Sequence, residues 1–292
     1  MNPFPPLQQL IETSLAKALA PEALPDVPAS LLEPMRYALL GGGKRIRPIL
    51  CLLAAEAAGG TREAALPAAL AIETLHNYTL VHDDLPCMDD DLLRRGQPTV
   101  HAKYGYAEAV LVGDALQALA FRFLADLDLP SPALRAIYAE FARAAGPDGV
   151  IGGQWVDVTL PPPHDADRIA YVHLHKTADL FIAAATLGAL TSPLSFNAAT
   201  PATSATPATF LSSFARHLGI AFQIADDLLD EPERQAKPVA ERELSCLDLW
   251  SEDEARRQLA AHTGAALTSL AGLPGPTEPL RTLADMLLTR KA

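Results

Sequence analysis

Cysteine, aromatic residues and long apolar runs are all scarce in this chain, and each scarcity removes a class of answer. The cysteines are three, Cys51, Cys87 and Cys246; they show no metal-ligand spacing, and an odd number offers no disulfide framework. A reducing, cytoplasmic compartment is therefore expected. Aromatics make up only 6% of the 292 residues, while alanine and leucine dominate, which favours helices over sheet. No apolar run approaches the ~20 residues of a membrane span, and the first residues have neither the basic nor the apolar region of a leader. No membrane insertion is expected. Positive charge is also short: the net charge of -12 argues against nucleic acid or an anionic membrane surface as partner. An anionic ligand would have to be captured by local basic clusters.

Several catalytic signatures are missing as well. There is no GxSxG elbow, no Ser/His/Asp motif and no GxGxxG, so acyl and hydride transfer lack their carriers. The GxxxxGK[ST] spacing of a nucleotide-binding P-loop is absent too.

What the chain does have is aspartate in two places. Residues Asp83, Asp84, Asp89, Asp90 and Asp91 fall within nine positions, followed by Arg94 and Arg95. Their mutual repulsion needs a cation to offset it, and carboxylate oxygens suit magnesium, which takes one or two protein carboxylates plus the phosphates of a substrate. The second cluster is Asp226, Asp227 and Asp230. Upstream of it, Leu211, Phe214, Ala215, Leu218, Phe222, Ala225 and Leu229 recur at the period of one helix face. Gln223, Asp226, Asp227 and Asp230 then share an adjacent stripe, where like charges at four-residue spacing destabilise a bare helix. A stripe of that kind suits a metal.

In chain order, helices are expected over 7–20, from about Pro34, over 62–85, 104–126 and 132–145, over a long stretch 165–190, through the second aspartate cluster, and over 250–271 and 277–290. Nothing reads as strand. Gly41-Gly42-Gly43-Lys44-Arg45-Ile46-Arg47-Pro48 interrupts the early helices. Its glycines allow close backbone approach and Lys44, Arg45 and Arg47 bring charge, so a phosphate site is the functional reading. Pro86 should end the helix carrying the first aspartates. Pro161-Pro162-Pro163 reads as a connector, residues 191–209 as a mobile low-complexity loop, and 231–243 as charged and loop-like. The whole chain, 1–292, is taken as one domain. His173 and His175 are two apart and point away from each other on a helix, so they cannot share a metal. Two acidic sites, basic segments and an apolar helical bundle together suit a diphosphate attached to a hydrocarbon.

These motifs, with Gly152-Gly153-Gln154-Trp155-Val156-Asp157, His175-Lys176-Thr177 and Phe222-Gln223-Ile224-Ala225-Asp226-Asp227-Leu228-Leu229-Asp230, resemble the trans-polyprenyl diphosphate synthases over residues 30 to 230, especially the bacterial farnesyl-forming branch. The resemblance implies an all-α isoprenoid synthase bundle around a central cavity, usually a homodimer. It implies metal-assisted condensation of isopentenyl diphosphate with dimethylallyl or geranyl diphosphate. Asp83, Asp84 and Asp89 would hold two magnesium ions, and Asp226 with Asp227 and Asp230 a third. Arg94, Lys176, Thr177 and Gln223 would hold the allylic diphosphate and its ionising end; Lys44, Arg47, His76 and Arg95 would hold isopentenyl diphosphate.

In that family the residues just before the first aspartate floor the cavity. Tyr78, with Thr79, would therefore stop elongation at fifteen carbons, giving farnesyl diphosphate; geranyl or geranylgeranyl diphosphate synthases and a non-catalytic prenyl synthase subunit are the alternatives. One departure stands out: the family's glycine-bearing loop after the second motif is shortened here, and Lys237 is the residue that could replace its lysine.

Overall fold

In the computed structural model, residues 3–159, 165–196, 206–236 and 244–289 are described. The architecture is all-α apart from one minimal ladder, in which β1 (Leu93–Arg94) pairs antiparallel with β2 (Gln97–Pro98). The chain forms two compact units, Met1–Leu52 with Glu63–Asp128 and Leu53–Arg62 with Leu129–Ala292.

The first unit contains α1 (Pro5–Ala18), α2 (Ala29–Leu40), the start of α3 (Ile46–Ala57), most of α4 (Arg62–Asp83), the ladder, α5 (Val100–Tyr104) and α6 (Tyr106–Ala125). Prolines at the first helical positions open α1, where a missing N–H costs nothing, and Leu7, Ile11 and Leu15 form its buried stripe. Helix α2 starts five residues before the expected Pro34, because the Pro28 carbonyl accepts the first bonds, from the Leu31 and Leu32 amides at 2.9 Å each. Pro34 lies inside the helix and is buried. Pro86 acts as expected: α4 ends at Asp83, and the chain then curls so that the Asp89 amide donates to the Asp83 carbonyl at 2.9 Å. The ladder was not foreseen; a two-residue strand is too short for period-two alternation to register.

The second unit contains the end of α3, α7 (Ser131–Ala145), α8 (Val150–Thr159), α9 (Ala166–Val172), α10 (Asp179–Leu190), α11 (Pro207–Ala236), α12 (Glu252–Ser269) and α13 (Glu278–Leu288). Asp165 caps α9, accepting from the Arg168 amide at 2.8 Å. The expected helix over 165–190 is helical throughout but contains a π-helical turn, His173–Ala178, between α9 and α10. Such turns concentrate at functional sites, and this one carries Lys176 and Thr177. Helix α10 is buried nearly all round. It packs on α11 with the Phe181 and Phe222 rings 5.2 Å apart, a tilted aromatic contact of about 1 kcal/mol beyond its area. On the other side of α11, Ile224 joins Ile169, Cys246 and Ala255 in a compact apolar cluster.

The segment after Asp230 departs from expectation. Helix α11 continues through Pro232 to Ala236, held by Arg234, which pairs with Glu231 at 3.1 Å and with Asp248. The connector 161–163, residues 197–205 of the 191–209 loop, Lys237 and the rest of the shortened segment lie outside the described residues. Among the described residues no helix is long and apolar enough to cross a membrane.

Candidate active site

In the first unit the terminal turns of α4 and the two loops after α2 and α4 bring the expected residues together. Asp84 is buried, and the Arg94 guanidinium grips one of its oxygens with Nε at 2.6 Å and Nη2 at 2.5 Å. Burial pushes the Asp84 carboxyl up against the pull of Arg94. A recess beside the pair is lined by Gly41, Leu80, Asp84, Arg94, Arg95 and Thr99.

His76, one turn before Leu80 on α4, accepts at Nε2 from the Arg47 guanidinium at 3.1 Å. Arginine can only donate, so the neutral ring carries its proton on Nδ1, which is buried and meets no hydrogen-bond partner among the described residues. Burial and then Arg47, Arg95, Arg94 and Arg45 drive the His76 pKa well below its ordinary value. Arg45 and Arg94 already pair with Glu73 and Asp84, but the positive charge felt at this neutral ring is still one that an anion would offset. Lys44 is exposed at its edge.

The backbone is strained at this end of the unit. Among the described residues, the non-glycine residues with positive φ are Arg45, Asp90 and Arg95, at 50°, 54° and 54°, all in the two loops named above. Non-glycine residues visit that region at a cost, and clustering of such residues marks functional loops. Tyr78 is buried, with its ring edge-on to His82 at 5.8 Å and a hydrogen bond to the Gln117 side chain. The Thr79 hydroxyl is turned back onto the His76 carbonyl at 2.8 Å.

In the second unit the π-helical turn aims successive residues at two neighbours. Lys176 Nζ meets Asp157 Oδ2 at 2.5 Å. Thr177 Oγ1 donates to Gln223 Oε1 at 2.7 Å, and Gln223 Nε2 donates to Asp227 Oδ1 at 2.9 Å. The second Asp227 oxygen accepts from the Cys246 amide at 2.7 Å and lies 3.2 Å from His173 Nε2. Burial alone would push the Asp227 carboxyl up; the His173 contact, the Cys246 amide and the Gln223 amide together hold it below the ordinary range. Asp226 is half-buried and Asp230 exposed on the same helix. Asp227 is thus the inward member of the expected stripe.

Four residues of this arrangement carried no role in the sequence reading. Asp157 ends the Gly-Gly-Gln motif and holds Lys176. His173 contacts Asp227, and the neighbouring His175 pairs instead with Asp179 at 2.8 Å, in keeping with side chains two apart. Glu73 lies one turn before His76 and pairs with Arg45 at 2.6 Å. Its signal, a lone acid on the apolar face of α4, is visible in the sequence only when its partner is known. Arg45 itself departs from expectation: it is buried, and its charge turns inward to Glu73 and not toward a ligand.

Among the described residues no three or more His, Cys, Asp or Glu side chains form a ready cage. The donors are carboxylates, and buried Asp84 has a charge that Arg94 does not fully offset. Such a donor set fits magnesium, which asks for one or two protein carboxylates and takes its other ligands from water and phosphate.

Residues 28–241 match the family model described as polyprenyl synthetase. The chain is 41% identical to the chloroplastic geranylgeranyl pyrophosphate synthase of Catharanthus roseus over 74% of its own length, and 35% identical to the geranylgeranyl diphosphate synthase of Cyanophora paradoxa over 97% of its own length and 94% of that protein. It spans 59% of the Catharanthus protein and 54% of a chloroplastic large subunit from Arabidopsis thaliana. Its fold matches the crystal structure of an FPP/GFPP synthase from Zymomonas mobilis with a TM-score of 0.83 and 36% identity, covering 97% of this chain and 96% of that one. With the motifs, the helical fold and a family match covering most of its length in agreement, the chain belongs to the polyprenyl synthetase family.

Proposed function

We propose that this protein is a short-chain trans-prenyl diphosphate synthase, joining isopentenyl diphosphate to an allylic diphosphate head to tail. The observation that carries the reading is neutral His76, bonded to Arg47, one turn before Leu80 in the wall of the recess that Asp84, Arg94 and Arg95 also line, which sets anion-binding groups next to a carboxylate cluster. In the reaction the allylic C–O bond breaks and its electron pair leaves with the diphosphate. The isopentenyl double bond supplies the pair for the new C–C bond, and one proton is lost.

The chain's own residues divide this work. Arg94 and Lys176 bind the departing diphosphate. Thr177 and Gln223, tied together through one hydrogen bond, orient at the ionising end. Lys44, Arg47, His76 and Arg95 hold the isopentenyl diphosphate, with the Nδ1 proton of His76 available to it. Asp83, Asp84 and Asp89, and Asp226, Asp227 and Asp230, would hold magnesium, three ions with substrate bound; the metal supplies positive charge where negative charge develops on the leaving group. The family match draws residues from both compact units, which supports a single synthase domain. A reducing compartment such as the cytoplasm follows from three cysteines that offer no disulfide framework, and a homodimer follows from the family resemblance.

For product length, the relatives named as geranylgeranyl synthases support twenty carbons over the fifteen expected from the sequence. A second reading rests on one specific observation. Tyr78 is buried and anchored by Gln117 and His82, six backbone rises before Asp84 at ~1.5 Å each, so its ring is a fixed obstacle that favours fifteen carbons.

Incubating the purified protein with magnesium, isopentenyl diphosphate and either dimethylallyl or geranyl diphosphate tests both readings. A prenyl diphosphate that disappears in Asp83→Ala supports the activity, and its chain length decides between twenty and fifteen carbons. No product from either starter rejects the synthase reading.

A further inference from the structure

Between α2 and α3 the chain passes through Gly42 at φ +85°, Gly43 at φ +132° and Arg45 at φ +50°. Left-handed backbone suits the two glycines and is disfavoured for arginine. Something must hold Arg45 there. Its side chain is fully buried: Nη1 donates to Glu73 Oε1 at 2.6 Å, Nη2 donates to the Leu39 carbonyl at 2.8 Å, and Nε lies 3.9 Å from Glu12. Glu73, itself only 3% exposed, also accepts from Asn77 Nδ2 at 3.2 Å. One buried ion pair thus joins the middle of the loop to the turn of α4 that carries His76.

All four residues assigned above to the second diphosphate lie next to that joint. Lys44, immediately before Arg45, is exposed, whereas Arg45 points inward. Arg47, two residues on, donates to His76, one turn beyond Glu73. The Arg95 guanidinium donates to the Gly42 carbonyl and lies 2.7 to 2.9 Å from where a Cβ on Gly43 would sit. Turning Arg45 outward would swing Lys44 and Arg47 off their present directions and remove the surface against which Arg95 rests.

We propose that Arg45 and Glu73 are a positioning pair that sets the direction of Lys44 and Arg47 and the seat of Arg95, and so governs affinity for isopentenyl diphosphate without touching it. The inference rests on the synthase reading. Burying two charges is a poor way to gain stability, since well-packed apolar replacements of similar volume often do as well; direction and registry are what such a pair adds. A purely structural pair would influence both substrates alike.

The test compares the parent, Glu73→Gln and the double variant Arg45→Met/Glu73→Met. Glu73→Gln should raise KM for isopentenyl diphosphate about tenfold and leave the allylic KM within about twofold. Amide hydrogen exchange over residues 41–47 should accelerate. The double variant should recover most of the parent's thermal stability yet keep the raised isopentenyl KM and the fast exchange, and it decides the matter if Glu73→Gln does not fold. Equal rises in both KM values, or an unchanged isopentenyl KM in the folded double variant, would overturn the proposal. If the parent itself makes no product, the synthase reading fails, and the pair is judged on exchange alone, with unchanged protection over 41–47 in the double variant counting against it.

Discussion

The Thr177 hydroxyl donates to Gln223 Oε1 at 2.7 Å, across 46 residues of sequence, and thereby joins the π-helical turn to α11. Because that carbonyl is taken, the amide of Gln223 is oriented with its NH2 toward Asp227, which it reaches at 2.9 Å. The order of donors is therefore fixed: hydroxyl to amide carbonyl, amide N–H to carboxylate.

Gln223→Glu tests this chain of bonds. Glutamate still accepts from Thr177 but sets a second carboxylate against Asp227, where a donor is needed. The expected loss is about 2 kcal/mol of stability, a Tm lowered by several degrees in calorimetry, and a fall in kcat of about 100-fold. A Tm equal to the parent's would show that the Gln223–Asp227 bond carries no weight.

Gly153 marks how closely α8 approaches the π-helical turn. A Cβ there would lie 2.7 Å from the His175 carbonyl carbon and from Lys176 Cα. Both are backbone, so neither can rotate away. Gly153→Ala should cost about 1–3 kcal/mol through overpacking and should pull Lys176 from Asp157. The expected kinetic signature is a raised allylic KM, whereas an alanine variant with parental Tm and KM would show that α8 shifts freely.

Tyr78 offers a readout in product length. Tyr78→Phe keeps the ring and loses only the Gln117 hydrogen bond, so its product should match the parent's. Tyr78→Ala removes the ring at a stability cost of about 3–5 kcal/mol, as for other large buried aromatics, and should yield longer prenyl chains by chromatography. The same product spectrum from Tyr78→Ala and the parent would reject Tyr78 as the stop.

His217 on α11 and His262 on α12 touch head to head, with Nδ1 atoms 3.0 Å apart. One nitrogen must donate and the other accept, so a second proton would break the bond. Burial and then Arg216 lower the pKa of His217, and burial and then His217, Arg216 and His173 lower that of His262, both below 6.5. With the folded value below the unfolded one, the unfolded state binds more protons as pH falls through 6.5, and stability is lost in that direction. Measured from about pH 7.5 to about pH 5.5, the fall in Tm should be smaller in His262→Gln than in the parent. Identical slopes would mean the pair does not titrate in this window.

How much of this was readable beforehand follows from the kind of signal each feature leaves. The aspartate clusters, the basic loop and the His-Lys-Thr motif are local in sequence, and the all-α class follows from composition and from the 3.6-residue apolar period. The π-helical turn was not readable, because the rotation of about 100° that one extra residue imposes shows only as a shift of an apolar stripe, and α10, buried nearly all round, has no stripe to shift. The extension of α11 to Ala236 was missed for a related reason. Glu231, Pro232 and Arg234 look like loop residues until Asp248, from a different segment, supplies the partner for Arg234.

The sequence by itself determined the residue types and their spacing, and with them the chemistry to expect: carboxylates at helical intervals that suit a hard cation, and lysine, arginine and histidine that suit a diphosphate. Only the tertiary structure decided which of these charges turn inward. Arg45 and Arg47 are two residues apart and equally basic on paper, yet one is sealed against Glu73 and the other donates to His76. Asp226 and Asp227 are adjacent, yet the first is half-buried and the second is buried with both oxygens engaged. The physical reason is desolvation. A buried charge is tolerated only where a partner waits, and that partner comes from a part of the chain that sequence spacing does not reveal.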